Sequence, residues 1–141
     1  MESTSRVIVA AVAIVDDLDR PSRFLAARRT EPPALAGCWE FPGGKAEVGE
    51  TSREAAVREV REELGMSVRL GARIGGDWPL GDTHTLHLYW AVALPGEPAP
   101  RPLEDHDDLR WLTGSDVDDI PWLANDLPMV AHLARLLHTP G

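Results

Sequence analysis

The spacing of apolar positions changes character along the chain, and each change predicts an element. From Val7 to Val15 the sequence is continuously apolar and rich in β-branched side chains, which predicts a central, buried strand. The turn-forming stretch Asp16 to Ser22 ends it. Phe24 to Ala27 is then expected to return as its hairpin partner and deliver Arg28 and Arg29 to its end. Glu31 to Gly37 reads as a loop and Trp39 to Phe41 as a short stretch. Pro42-Gly43-Gly44 reads as a break in any regular element, since proline lacks a donor and glycine opens otherwise forbidden dihedrals.

From Thr51 to Leu64 the period lengthens. Ala56, Val57, Val60 and Leu64 recur at helical spacing, with Arg58, Glu59, Glu62 and Glu63 on other faces. Thr51 and Glu54 have the spacing of a capping box, and Gly65 is a natural stop. Val68 to Ile74 and Thr83 to Leu94 are predicted strands; in the second, His84, Leu86, Leu88, Trp90 and Val92 share one parity. Pro95 to Pro102 is a turn-rich connection, Leu109 to Leu112 a short strand, and Gly114 to Asp119 one helical turn. Ala131, Leu133, Ala134 and Leu137 predict a final helix from Pro128 to His138. Strands packed with two separated helices imply an α/β or α+β sandwich.

Length and charge narrow what such a fold does. The 141 residues suit one domain with one core, and no internal repeat interrupts them. Twenty-three acidic residues against fourteen basic ones give a formal charge of -9, which argues against binding a nucleic acid polymer. A small phosphorylated ligand remains compatible, because a divalent cation can bridge it to an acidic cavity. Met1 to Arg6 lacks the cationic and apolar regions of a secretory signal, and Val7 to Val15 is too short to span a bilayer, so a cytoplasmic protein without membrane partners is expected. Cys38 is alone, which excludes an intrachain disulfide and a multi-cysteine metal site.

The chemically unusual segment is Gly43-Gly44-Lys45-Ala46-Glu47-Val48-Gly49-Glu50, which runs directly into the capped helix. Glu59 stands one turn before Glu63, with Glu62 beside them, so three anionic side chains can converge. Like charges at that spacing repel. Mg²⁺, or Mn²⁺, would offset the repulsion through oxygen ligands and tie this face to a diphosphate, with a Gly43 or Gly44 carbonyl as a further ligand and Lys45 on a phosphate oxygen. Each part has a bland reading: alternating Arg and Glu form solvated helix faces, and Gly-Gly is a turn. Their combination is what points to a metal site.

Gly44, Glu50, Arg58, Glu59, Val60, Glu62, Glu63, Gly65 and Met66 match every specified position of the Nudix box: glycine, five residues, glutamate, seven residues, then Arg-Glu-apolar-x-Glu-Glu-x-Gly-apolar. The chain therefore resembles the Nudix hydrolase family. Arg28-Arg29 with Trp39-Glu40-Phe41-Pro42-Gly43-Gly44-Lys45 looks like its MutT-like branch. The resemblance implies the Nudix α/β/α sandwich with a mixed sheet and a loop-helix-loop motif. It also implies attack by water at the β-phosphorus of a nucleoside triphosphate, releasing nucleoside monophosphate and pyrophosphate.

Residue by residue, the resemblance makes Glu59 and Glu63 the foremost metal ligands and Glu62 a third, with Glu59 the first choice of base. Arg58 is expected to orient a carboxylate, and Glu50 to anchor the loop or approach an outer metal shell. Arg29, with Arg28, is expected to meet the phosphates. Asp105 is the expected further ligand or alternative base by its distance from Trp111, with Glu104 next; His106 assists or is merely solvated.

For the base, Asn125 and Asp126 stand at the lip of the final helix, where a carboxamide or carboxylate reads a base edge or caps the helix. Counting back from Pro128 resembles the cytidine-triphosphate-cleaving relatives, with Asp126 in the reading position; a shift of one residue would put Asn125 there, as in relatives acting on 8-oxoguanine nucleotides. Trp39, Trp78 and Trp122 are candidates for stacking or, more simply, packing. A nucleotide-sugar or dinucleotide pyrophosphatase and a catalytically silent nucleotide sensor are the competing classes. The expected partner is a small nucleotide, and the expected state a monomer or homodimer.

Overall fold

The computed structural model describes residues 6–139. Most of the stretch from which the lack of a leader was read, Met1 to Arg6, lies outside the described residues. Strand β1 (Val7–Ile14) runs parallel to β7 (His84–Ala93), in register from Val7 opposite His84 to Ile14 opposite Ala91. On its other edge β1 takes β4 (Gly43–Lys45), antiparallel. The far edge of β7 is shared by β5 (Val68–Arg73) and the short β6 (Trp78–Leu80). A smaller antiparallel sheet has the order β3 (Trp39–Glu40), β2 (Phe24–Arg29), β8 (His106–Leu112).

A strand paired on both edges and continuously apolar must be covered on both faces, and β1 is. Ala11, Ala13 and Val15 pack toward α2 (Leu127–Leu136) with Phe24, Phe41, Leu88, Trp122, Met129 and Leu133. Ala10, Val12 and Ile14 pack toward α1 (Ser52–Leu64) with Ala55, Ala56, Val60 and Leu64. The two helices therefore sandwich the sheets, as the α/β/α expectation required. Both ends of α1 are built as the sequence predicts: Glu54 N–H donates to Thr51 Oγ1 (3.0 Å), Thr51 N–H to Glu54 Oε1 (2.9 Å), and Gly65 takes the left-handed conformation (φ 66°).

Three expectations change, and one strand is added. Phe24 to Ala27 does not return along β1, which it meets only at one bridge from Val15 to Phe24; it belongs to the other sheet, with Arg28 and Arg29 as its last two residues. Gly43-Gly44 does not break regular structure but pairs with Ala10 and Ala11, an approach that needs glycine because a side chain at Gly43 would collide with the Ala10 carbonyl. The triplet Trp78–Leu80 is a strand too short and too interrupted by Pro79 to show a period. Strand β8 starts at His106 rather than Leu109. No helix among the described residues is long and apolar enough to cross a membrane.

Candidate active site

Close packing of a glycine strand against a helix places the carboxylates. A Cβ on Gly44 would lie 2.5 Å from Glu59 Cδ, so only glycine lets the Glu59 carboxylate rest against this backbone. Glu63, one turn on, faces the same strand and accepts from Gly43 N–H (3.3 Å). Although α1 is amphipathic, Glu63 sits within its buried face, 7% exposed.

Arg58 gathers three of the anionic side chains around one guanidinium. Its Nε and Nη2 donate to Glu50 Oε2 and Oε1 (2.7 and 2.9 Å), a fork-to-fork pair, while Nη1 donates to Glu59 Oε1 (2.9 Å) and Glu62 Oε2 (3.2 Å). Nη2 also reaches the Lys45 carbonyl (3.0 Å), and Glu47 N–H donates to Glu50 Oε1 (2.9 Å), so the loop is tied to the helix by the same group. The Arg58 bond and the Glu47 amide draw the Glu50 carboxyl down to about 2. The guanidinium rises further above its already high value through Glu50 and Glu59. Arg58 thus contacts the Glu50, Glu59 and Glu62 carboxylates at once, and Glu50 lies between the loop and the helix.

A second network enters from the smaller sheet. Glu40 Oε2 accepts from Arg29 Nη1 (2.8 Å) and pairs with His106 Nε2 (2.8 Å), and His106 Nδ1 stands 4.0 Å from Glu63 Oε1. Burial, a hydrogen bond with Glu59 and the charges of Glu40 and Glu59 hold the Glu63 carboxyl well above the usual carboxylate range. Crowded glutamates, one of them buried, form a donor set that a divalent cation fits, since it relieves the repulsion. The glutamates nevertheless form no ready cage: among the described residues no three His, Cys, Asp or Glu groups converge closely enough to enclose an ion, with Glu59 and Glu62 drawn to Arg58.

Several expected residues stand elsewhere. Asp105 is exposed, and its backbone carbonyl, not its carboxylate, is engaged, accepting from Thr30 N–H (2.8 Å). Glu104 and Asp105 both have positive φ (31° and 57°), a turn that sends the next side chain, His106, inward in their place. Arg28 pairs with Asp107 (2.7 Å) and lies over Trp39 (5.8 Å to the ring centre), while Arg29 is bound to Glu40 and the Glu31 carbonyl (2.8 Å). Neither arginine is thus a free cation. Lys45 is exposed on β4.

Asp126 is 7% exposed and accepts from Phe41 N–H (3.1 Å). It occupies the N-cap position of α2 without a side-chain bond to the helix. Burial lifts its carboxyl, against the Phe41 bond and with help from the Glu40 charge, to about 7. Asn125, its neighbour, is exposed. Both border a cavity of about 150 Å³ whose walls include Val9, Glu40, Gly43, Leu80 and Leu86. Trp122 stacks against both Phe24 and Phe41, Phe41 also borders the cavity, and Trp78 meets the His132 ring edge-on. Larger surface hollows, about 410 Å³ around Arg53 and Arg61 and about 520 Å³ around Trp111, lie outside this cleft. Size alone does not locate the chemistry.

The residues that sequence reasoning passed over are Glu40 and, in part, His106. Glu40 lies between a buried Trp39 and a buried Phe41, and a lone charge in an apolar triplet was the available signal.

With this geometry in view, comparison with known proteins is specific. The NUDIX domain family matches residues 5–133. A Mycobacterium tuberculosis protein that carries the provisional name 8-oxo-dGTP diphosphatase 2 is 45% identical over 134 residues, covering 93% of this chain and 90% of its own. The CTP pyrophosphohydrolase of Escherichia coli K12 is 32% identical over 123 residues, 87% of each chain. The crystal structure of a MutT NUDIX hydrolase from Burkholderia pseudomallei superposes with a TM-score of 0.71 at 28% identity, covering 92% of this chain and 98% of that one. A strand of two glycines against a glutamate-bearing helix, joined by Arg58, is thus how this sequence builds its Nudix box, and the chain belongs to the Nudix hydrolase family.

Proposed function

We propose that the chain hydrolyses a nucleoside triphosphate, with water as nucleophile, to nucleoside monophosphate and pyrophosphate. The observation that carries this reading is the continuity of the cleft: Gly43, against the Glu63 carboxylate, and Asp126 border the same cavity. A diphosphate at the first end and a base at the second fit one nucleotide. A divalent cation, Mg²⁺ foremost, held by Glu59, Glu62 and Glu63 with the Gly43 or Gly44 carbonyl, supplies charge neutralisation and acidifies water. Glu59 is the proposed base. Arg58 keeps the glutamates in place, and Lys45 is the free cation best sited, on β4, to approach a phosphate.

For the base, (d)CTP or a modified pyrimidine triphosphate is the favoured substrate, supported by the inward turn of Asp126 and the exposure of Asn125. A carboxyl lifted to about 7 offers both a donor and an acceptor near neutral pH. The second reading is 8-oxo-dGTP, supported by the relative at 45% identity.

A screen of canonical, methylated and oxidised nucleoside triphosphates with Mg²⁺, reading pyrophosphate and orthophosphate separately, tests both. Pyrophosphate release from a pyrimidine triphosphate, with selectivity reduced in Asp126→Ala, is expected. Turnover of a diphosphate-linked sugar without turnover of any triphosphate rejects the proposal. Equal slowing of all bases in Asp126→Ala rejects the base assignment alone.

A further inference from the structure

Away from the cavity at Gly43 and Asp126, a cluster of polar side chains has no part in the nucleotide reading. It gathers where the first residue of α1 meets β7. Ser52 Oγ lies 2.9 Å from His87 Nδ1 and 2.5 Å from the Tyr89 hydroxyl, and His87 Nε2 lies 3.4 Å from Asp77 Oδ1. Asp77 is held in turn by Arg73 Nη2 (2.5 Å). His87 stands two residues from Tyr89 on β7 and so shares the face that packs toward α1. The cluster is reachable from solvent, with Ser52 half-buried and the His87 side chain 17% exposed.

One set of proton positions satisfies all four groups. The Asp77 carboxylate draws the imidazole proton to Nε2, Nδ1 then accepts from the Ser52 hydroxyl, and the Ser52 oxygen accepts from Tyr89 O–H. Burial first, and the Arg73 charge next, hold the His87 imidazole below its ordinary value, so at neutral pH the ring is in the unprotonated form that such an acceptor requires. A hydroxyl on a neutral imidazole whose far nitrogen faces a carboxylate is the arrangement that activates a serine as nucleophile. The start of the helix adds a complementary part. Glu54 N–H donates to Thr51 Oγ1 and Thr51 N–H to Glu54, so the first-turn amides left without a helical partner are those of Ser52 and Arg53. They flank the hydroxyl, where negative charge would gather during attack on a carbonyl. The hollow of about 410 Å³ lined by Val57 and Leu70 begins at Arg53, whose guanidinium covers the Tyr89 ring (5.3 Å).

We propose that Ser52 is the nucleophile of a second reaction, the hydrolysis of small carboxylic esters with a short apolar acyl group, with His87 as base and Asp77 as positioning residue. Ser52 Oγ bonds to the ester carbonyl carbon as its proton passes to His87 Nδ1. The bond from that carbon to the alcohol oxygen then breaks, and the alcohol leaves with the proton from His87. Water attacks the acyl-serine by the same route, which releases the acid and restores Ser52 and neutral His87. Water is the only co-reactant, and nothing is oxidised or reduced. Ser52 stands seven residues before Glu59, about 10 Å along the helix axis, so the reaction uses none of the clustered glutamates and is independent of the nucleotide reading.

A fluorophosphonate, which transfers its phosphorus to an activated serine with loss of fluoride, reads the nucleophile directly on the full chain in metal-free buffer. The expected result is a phosphonyl group on Ser52, located by mass spectrometry of the peptides, together with hydrolysis of p-nitrophenyl butyrate. Both are expected to vanish in Ser52→Ala, which leaves the Thr51 cap in place. His87→Gln is expected to slow labelling by about 10²-fold or more. Asp77→Asn is expected to slow it to a smaller extent, and Asp77→Glu, which restores a carboxylate, to recover most of the rate. The Asp77 side chain is exposed, so this pair keeps the test open even if His87→Gln does not fold. No label on the wild-type chain, label on another residue, or a labelling rate that neither His87→Gln nor Asp77→Asn changes overturns the proposal. Pyrophosphate release from triphosphates with Mg²⁺ is expected to survive Ser52→Ala, so failure of either reading is seen separately.

Discussion

Glu63 and Asp126 come from opposite helices, yet they do the same local job. Each is a buried carboxylate that accepts an amide from one short segment, Glu63 from Gly43 and Asp126 from Phe41. Each is lifted above the ordinary carboxylate range, by burial first. They differ in what adds to burial. Around Glu63 the further cause is negative charge, from Glu59 and Glu40, and a hydrogen bond shared with Glu59. Around Asp126 the Glu40 charge is a lesser addition, offset by Arg29. Charge crowding is relieved by a cation; burial is relieved by a neutral hydrogen-bonding ligand. The same carboxyl group would therefore serve the proposed phosphate end and the proposed base end, and the distinction lies in its neighbours.

The sharpest way to break this comparison is to neutralise one carboxylate at the crowded end. Glu59→Gln removes the proposed base and one ligand and is expected to lower kcat by about 10²–10⁴-fold at saturating Mg²⁺, measured as pyrophosphate release. Unchanged kcat would dismiss Glu59 from both roles. Glu63→Gln sharpens the same point by moving two properties in opposite directions. Activity is expected to fall, whereas melting temperature in metal-free buffer at neutral pH is expected to rise, because the glutamine carries no ionisation to suppress. A fall in both would mean that the Glu63 carboxylate is not strained by its neighbours.

A smaller effect is expected one bond further out. Arg58→Lys keeps the positive charge but cannot make the two-pronged bond to Glu50 while also reaching Glu59 and Glu62. Groups that orient metal ligands commonly account for 10- to 100-fold in affinity or activity, so about that loss is expected in kcat or in the Mg²⁺ concentration for half-activity. Arg58→Lys with wild-type metal dependence and kcat would show that the glutamates hold their positions unaided.

How much of this was legible beforehand depends on how local each feature is. Helix α1 was readable at both ends because Thr51, Glu54 and Gly65 act within a turn or two of themselves. The crowded end was readable for the same reason, since Glu59, Glu62 and Glu63 lie on consecutive turns. The partner of β2 was not, because pairing Arg28 with Asp108 joins residues far apart in the chain, and the pattern of Phe24 to Arg29 does not distinguish one neighbour from another. Asp105 was preferred to His106 by counting residues. Counting cannot see the left-handed turn at Glu104 and Asp105 that exchanges which side chain faces inward. Glu40 was missed because its role exists only where β3 and β8 flank β2.

The smallest effect tests the base end, and its sign comes from proton linkage. The Asp126 carboxyl loses its proton near the ordinary 3.8 when unfolded and at about 7 when folded. Between those values the folded chain keeps a proton that the unfolded chain has released, so stability falls as pH rises from about 4 to about 7 and is level above. A displacement of that size corresponds to at most about 4 kcal/mol. Asp126→Asn removes the slope and still offers an oxygen to Phe41 N–H, but it buries an amide N–H₂ whose lack of a partner costs about 1–3 kcal/mol. The net gain expected above neutrality is therefore at most about 1–3 kcal/mol, shrinking or reversing near pH 4. Urea unfolding of both chains at pH 4, 6 and 8 checks it: two parallel pH profiles would mean that Asp126 is ionised in the folded protein throughout, and the base end would then be a second charged site like the first.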